Sequence, residues 1–184
     1  MINEEQNIAD LIDRCKRDDR KAQEEFYRRF YRAMMTLCLR YTKNETDAME
    51  VLNTGFYKVF KNIRKYDVSK GSLYTWIRKI IINSCLDLIK KKGNDPGTRQ
   101  LVEVINIDLS PEVISKMSAA ELLKLVRQLS PSTQAVFNLY VLEGYSHKEI
   151  ASIMKISEGT SKWRLNEARK KLQKMINDRE KVNE

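Results

Sequence analysis

Residues 145–172, YSHKEIASIMKISEGTSKWRLNEARKKL, read as two short helices joined by a tight turn, and they decide what kind of chain this is. Ser146 is placed to cap the first helix, and Glu149, three positions on, can reach back to the backbone N–H of the cap, so SHKE forms a reciprocal capping box. Ile150, Ala151, Ile153 and Met154 supply the apolar face of that helix. Lys155-Ile156-Ser157 follows as the turn. Ser157 caps the second helix, whose first turn, Glu158-Gly159-Thr160, has small residues that let a phosphate approach exposed backbone amides. Ser161, Leu165, Ala168 and Leu172 recur at helical spacing and form the stripe that faces the core. Lys162, Trp163, Asn166, Glu167, Lys170 and Lys174 lie largely off it, a surface sized for base edges and flanking phosphates in a major groove. This is the layout of a helix-turn-helix DNA reader; the plain alternative is an antiparallel helix pair with a solvated basic face.

Upstream of the pair, Ser110-Pro111-Glu112 and Ser130-Pro131 each set a capping serine before a proline at the first helical position. Val136, Phe137, Leu139, Tyr140 and Leu142 then complete an apolar helix that leads through Gly144 into the reader. Further back, Gly93-Asn94-Asp95-Pro96-Gly97 stops a helix and opens a linker of weak periodicity. Val102, Val104, Ile105, Ile107 and Leu109 make that linker too apolar for a wholly solvated tether, so part of it is expected to dock on a domain or a partner.

The first half of the chain carries four helical patterns. Ile8, Leu11, Ile12 and Cys15 mark a short helix, and Ala22, Phe26, Phe30, Ala33, Met34, Leu37, Cys38 and Tyr41 a longer one. Asn44 or Thr46 opens a third, buried through Ala48, Val51, Leu52, Phe56, Val59, Phe60 and Ile63 and ending near Tyr66. Residues 67–72 have the composition of a true connection, after which Ser72 caps a helix running to about Lys92. Its core side is read as Trp76, Ile77, Ile80, Ile81, Ser84 and Leu88, with Trp76 a packing anchor more than a stacking platform.

With 184 residues and 42% hydrophobic content the chain can bury one modest core or two small ones, and the linker favours two. Six glycines, three prolines and few alternating runs place it in the all-α class. The net charge of +9 gathers at Arg78-Lys79, Lys90-Lys91-Lys92 and the last helix, as a polyanion partner requires. Cys15, Cys38 and Cys85 are widely spaced within apolar helical patterns and His147 is the single histidine, so neither a disulfide framework nor a zinc site is expected. No basic-then-apolar leader is read, and the run Ile80 to Ile82 is too short to cross a bilayer, which points to the cytoplasm. A nucleic-acid enzyme is disfavoured: no GxxxxGK phosphate loop or zinc-deaminase spacing occurs, and Asp47, Glu50, Asp67 and Asp87 read as solvated helix carboxylates. No catalytic group, metal, cofactor or small-molecule substrate is expected.

The blocks DAMEVLNTGFYKVFKNIRKYD and GSLYTWIRKIIINSCLDLIKK, followed after a linker by LSPSTQAVFNLYVLEGYSHKEIASIMKISEGTSKWRLNEARKKL, together resemble the bacterial RNA polymerase sigma factors, most closely the small extracytoplasmic-function (ECF) group. The second block alone also looks like the DNA-binding module of many response regulators; both blocks in this order make the signal specific. The resemblance implies three divisions. Residues 1–93 would be sigma region 2, 94–110 the linker, and 111–184 sigma region 4 with its helix-turn-helix. The helix beginning near Asp47 would dock on core RNA polymerase through Asp47, Glu50, Val51, Asn53, Thr54 and Phe56, at or under that surface. Lys70, Ser72, Arg78, Lys79 and Asn83 would bind and open the minus-10 promoter element, with the 67–72 loop as pocket for a flipped base. Ser157, Thr160, Lys162, Trp163, Asn166, Glu167 and Lys170 would read the minus-35 element.

The chain departs from the family pattern at several places. Met49 and Thr54 stand where acidic residues are frequent, Ser161 where valine packs, Trp163 where a small polar residue is common, and Glu167 where arginine is frequent. Glu167 is expected to shift the preferred sequence by accepting from a cytosine amino group. Lys155 occupies a turn position where glycine is usual, which asks for a different turn or a strained backbone. The family also makes a membrane-associated anti-sigma protein plausible as a further partner. A stand-alone regulator that reads DNA through residues 145–172 is the competing function, weakened because the N-terminal half lacks the apolar strands tipped with paired aspartates of a receiver domain.

Overall fold

The computed structural model describes residues 4–92 and 118–180, and every regular element among them is helical. The chain divides into two compact units, Met1–Leu88 and Ile89–Glu184. The linker and the Ser110-Pro111 helix start lie outside the described residues.

The first unit holds α1 (Glu4–Lys16), α2 (Arg20–Tyr41), α3 (Glu45–Asn62) and α4 (Leu73–Lys92) as far as Leu88, and α2, α3 and α4 are each started by a polar side chain. Asp19 Oδ1 accepts from the N–H groups of Lys21 and Ala22 at 2.9 and 3.2 Å, which with Arg14 holds its carboxyl below the usual range. Of the two candidate caps for α3, Asn44 is used: its Oδ1 accepts from Asp47 N–H at 2.8 Å. Ser72 Oγ accepts from Thr75 N–H at 3.2 Å and so opens α4, as expected. Two short 3-10 turns, Ile63–Lys65 and Val68–Lys70, carry the chain from α3 to α4.

The α2–α3 seam is aromatic. Phe26 meets Phe30 at 4.9 Å, tilted, and Phe60 at 5.6 Å, edge-on as the ring quadrupoles prefer, between ring centroids. Gly55 of α3 faces Ile81 of α4, whose Cα would lie 3.6 Å from a Cβ at position 55 and whose Cδ1 would lie closer still, so the absent side chain sets how near the two helices come. Three details differ from the sequence reading, the first being that Phe60, expected to be buried, is half-buried. Ala33 is exposed, because one small residue at helical spacing does not fix the edge of a stripe. The covered arc of α4 is wider than the single face first read: Trp76, Ile80 and Leu88 are half-buried, whereas Leu73, Ile82, Cys85, Leu86 and Ile89 are buried with Ile77, Ile81 and Ser84.

In the second unit, α5 (Ala119–Val126) starts from a capping box of Ser118 and Glu121. Next, α6 (Pro131–Phe137) carries Pro131 in its first turn after Ser130. The helix expected to continue through Leu142 instead widens into a π turn at Asn138–Leu142. Leu139 is buried there, whereas Tyr140 and Leu142, expected on the apolar side, are exposed together with Val141. Gly144, at φ +76°, supplies the left-handed residue that redirects the chain. The reader pair follows as α7 (His147–Met154) and α8 (Glu158–Glu180). α8 packs on both α6 and α7; Leu165, Ala168, Leu172 and Ile176 of α8 are buried, as are Val136, Leu139 and Ile150.

Candidate nucleic-acid interface

The capping box at Ser146 and Glu149 forms as read. Ser146 Oγ lies 3.3 Å from Glu149 N–H, and Glu149 Oε2 accepts from Ser146 N–H at 2.8 Å. The turn is left-handed at Lys155, with φ 57° and ψ 47°, and its N–H closes on Ala151 O. A lysine there bears the steric cost that a glycine would avoid. Ser157 Oγ accepts from Thr160 N–H at 2.9 Å and fixes the start of α8. His147, the first residue of α7, stacks on Tyr140 at 4.5 Å between centroids, and its Nδ1 lies 2.9 Å from the buried Ser161 Oγ. Burial first, then Lys162 and Arg169 against the opposing pull of Glu158, hold the imidazole below its ordinary range. Ser161 thereby ties α7 to α8 by a polar bond.

The candidate reading residues divide. Ser157 and Lys162 are exposed, and Thr160, Trp163 and Lys170 are half-buried along the outward side of α8. Asn166, expected on that side, is buried at 8% exposure, because α8 is covered over more of its circumference than the four-residue stripe indicates. Glu167 is half-buried and bonded to Thr133 and Lys171. Arg164, not singled out in the sequence, is also buried.

In the first unit, Lys70, Ser72, Lys79 and Asn83 are exposed and Arg78 is half-buried. Ser72 is committed to capping α4, and Lys70 approaches Asp67 at 3.5 Å. The loop is braced from within: Asp67 Oδ1 accepts from the Ser69 N–H at 3.0 Å and its hydroxyl at 2.7 Å, and Tyr66 O–H donates to Gly71 O at 3.2 Å. Those serine bonds, ahead of Lys70, lower the Asp67 carboxyl pKa. Beside the loop lies a groove of about 820 Å³, mainly apolar, bounded by Ile8, Ile12, Phe30, Tyr66, Leu73 and Tyr74. Tyr74 and Val68 stand exposed near its mouth, which the sequence reading missed; both fall off the periodic apolar positions used to find a core. Trp76 packs on Tyr66 at 5.4 Å, the supporting role expected of it.

On α3, Glu50, Asn53 and Thr54 are exposed and Asp47 is half-buried, while Val51 and Phe56 lie beneath them in the core. Asn53 Oδ1 accepts from Tyr27 O–H at 3.1 Å. Tyr57 is 66% exposed beside them, with Lys61 above its ring, and was not picked out from the sequence.

Fold and surfaces together define a two-unit helical protein with a helix-turn-helix in the second unit. The model of Sigma-70 region 2 matches residues 26–94, and that of Sigma-70, region 4, matches residues 119–172. The ECF RNA polymerase sigma-E factor of Haemophilus influenzae is 25% identical over 180 residues, covering 90% of this chain and 93% of that protein. The ECF RNA polymerase sigma factor SigW of Bacillus subtilis is 25% identical over 186 residues, covering 95% and 99%. In structure, the sigma factor RpoE of Bartonella quintana, solved with the anti-sigma factor NepR, superposes with a TM-score of 0.53 at 18% identity over 84% of this chain and 98% of that one. The chain belongs to the sigma-70 family of RNA polymerase sigma factors, in its ECF group. It binds core RNA polymerase and directs it to promoters, which the stand-alone regulator reading does not explain.

Proposed function

We propose that the two units share the promoter as follows. The α8 face of Ser157, Thr160, Lys162, Trp163 and Lys170 reads the minus-35 element in the major groove. The 67–72 loop, Arg78, Lys79 and Asn83 bind and open the minus-10 element, and α3 docks on core polymerase through Asp47, Glu50, Asn53 and Thr54 over Val51 and Phe56. The observation that carries this reading is the capped pair α7–α8, whose second helix opens at an exposed, Ser157-capped turn followed by exposed Lys162. The work is binding work: a few kcal/mol to unpair and unstack bases is offset by holding a flipped base and tracking the freed strand with cations. No bond chemistry by the chain is involved, and it acts in the cytoplasm beside the polymerase; no described helix is long and apolar enough to cross a membrane. Division at residues 93 and 111 and an anti-sigma partner, membrane-associated, complete the proposal. Transcription by purified core enzyme from a cognate promoter, with and without this chain, tests it; absence of specific initiation rejects it.

A further inference from the structure

By position, Glu167 stands where a carboxylate would meet a cytosine amino group, yet its oxygens are engaged inside the unit. Its Oε2 accepts the Thr133 hydroxyl at 2.8 Å, and its Oε1 accepts from Lys171 Nζ at 2.7 Å. The Glu167 side chain is 22% exposed, while Thr133 is completely buried. Ser130 Oγ donates in turn to Thr133 Oγ1 at 2.9 Å, and Ser130 is the residue that precedes α6. Each hydroxyl has a single proton to give, so the chain has one direction: Ser130 to Thr133 to Glu167. Its last bond is charge-assisted and partly desolvated, the kind that holds geometry best. It joins the first turn of α6 to the middle of α8, one helical turn from both Trp163 and Lys170.

We propose that Glu167 is a positioning residue for upstream-element recognition. It holds α8 against the start of α6 through Thr133, so that Lys162, Trp163 and Lys170 are presented at one rotation, and it reads no base itself. The inference rests on the assignment of α8 as the upstream reader. It also assigns specificity: with each carboxylate oxygen already holding a partner, Thr133 or Lys171, and the side chain only 22% exposed, base choice falls to the side chains on either side of Glu167. A glutamine at this position keeps an acceptor for the Thr133 hydroxyl, whereas alanine leaves that buried hydroxyl unmatched.

The test uses holoenzyme reconstituted from core polymerase and the full chain, and a duplex library randomised across the upstream element. It reads base preferences and the affinity ratio of selected over random duplex, with helicity checked at the assay temperature. Glu167→Gln is expected to keep the wild-type preferences and ratio, and Thr133→Ser, which retains the hydroxyl, to do the same. Thr133→Val and Glu167→Ala are each expected to lower the ratio by about tenfold, the loss of roughly one charge-assisted hydrogen bond, and the double variant no further. If Glu167→Gln relaxes preference at one base pair while Thr133→Val matches wild type, Glu167 is a reader and the proposal falls. Additive losses in the double variant also overturn it. Lys162→Ala serves as the separate check: wild-type binding by that variant removes the reader assignment itself, whatever the Glu167 variants do.

Discussion

Lys155→Gly should make the second unit more stable, against the usual direction of glycine substitutions. Lys155 sits at φ 57° and ψ 47° as the residue closing α7, its side chain exposed. A left-handed conformation costs an L-residue about 1–2 kcal/mol because Cβ crowds the backbone carbonyl. Glycine removes that cost but gives back about 0.4–1 kcal/mol through the greater freedom of the unfolded chain. The balance is a gain of about 0.5–1 kcal/mol, or roughly 2–8 °C in Tm for a unit of this size. Lys155→Ala is the control: it keeps Cβ, hence the strain, and should stay within about 0.5 kcal/mol of wild type. The two tryptophans fall in different units, so in a Trp76→Phe background Trp163 fluorescence follows the second unit alone during thermal unfolding. If Lys155→Gly unfolds no higher than Lys155→Ala, the backbone at 155 bears no such strain and the turn geometry argued here is wrong.

The first unit should be sensitive at Gly55: Gly55→Ala drives a Cβ into the buried Ile81 side chain and should cost about 1–2 kcal/mol, overpacking outweighing improved helix propensity. Ile81→Val deletes the clashing Cδ1, so the double variant should recover most of that loss in denaturant unfolding followed by Trp76 fluorescence in a Trp163→Phe background. The depressed pKa of His147 means that the unfolded chain takes up its proton first as pH falls. Stability of the second unit should therefore decline from about pH 6.5 down to the lower folded value and level off beneath it, with the extra pH dependence gone in His147→Asn. Asn83→Ala should weaken minus-10 recognition in the holoenzyme, whereas Lys162→Ala should weaken upstream binding and lower the salt slope by about one unit; unchanged promoter binding by both would remove these site assignments.

Local signals in the sequence carried far. Capping at Ser72, Ser146 and Ser157 was legible because a cap needs only a short polar side chain next to a periodic run. The stripe Ser161, Leu165, Ala168 and Leu172 was legible because helical spacing leaves one face for the core, and all four are buried. At Lys155 a bulky residue in a tight turn asked for either a different turn or a strained backbone, and the backbone is left-handed there.

Covering and partnering were not legible, since both depend on which element lies opposite. Asn166 and Arg164 are buried because α8 meets α6 and α7 on two sides, and α4 is covered over more than the stripe that its spacing suggested. Tyr140, Val141 and Leu142, in the π turn at Asn138–Leu142, are exposed, which depends on what packs over that turn and not on their spacing. Glu167 shows the distinction most directly. Its identity and place on α8 were fixed by the local code, but its bond to Thr133, 34 residues earlier in the chain, exists only because packing brings the first turn of α6 to the middle of α8. Caps and stripes arise from contacts within a few residues along the chain, whereas the partner of a half-buried carboxylate is set by tertiary contact, to which no local pattern points.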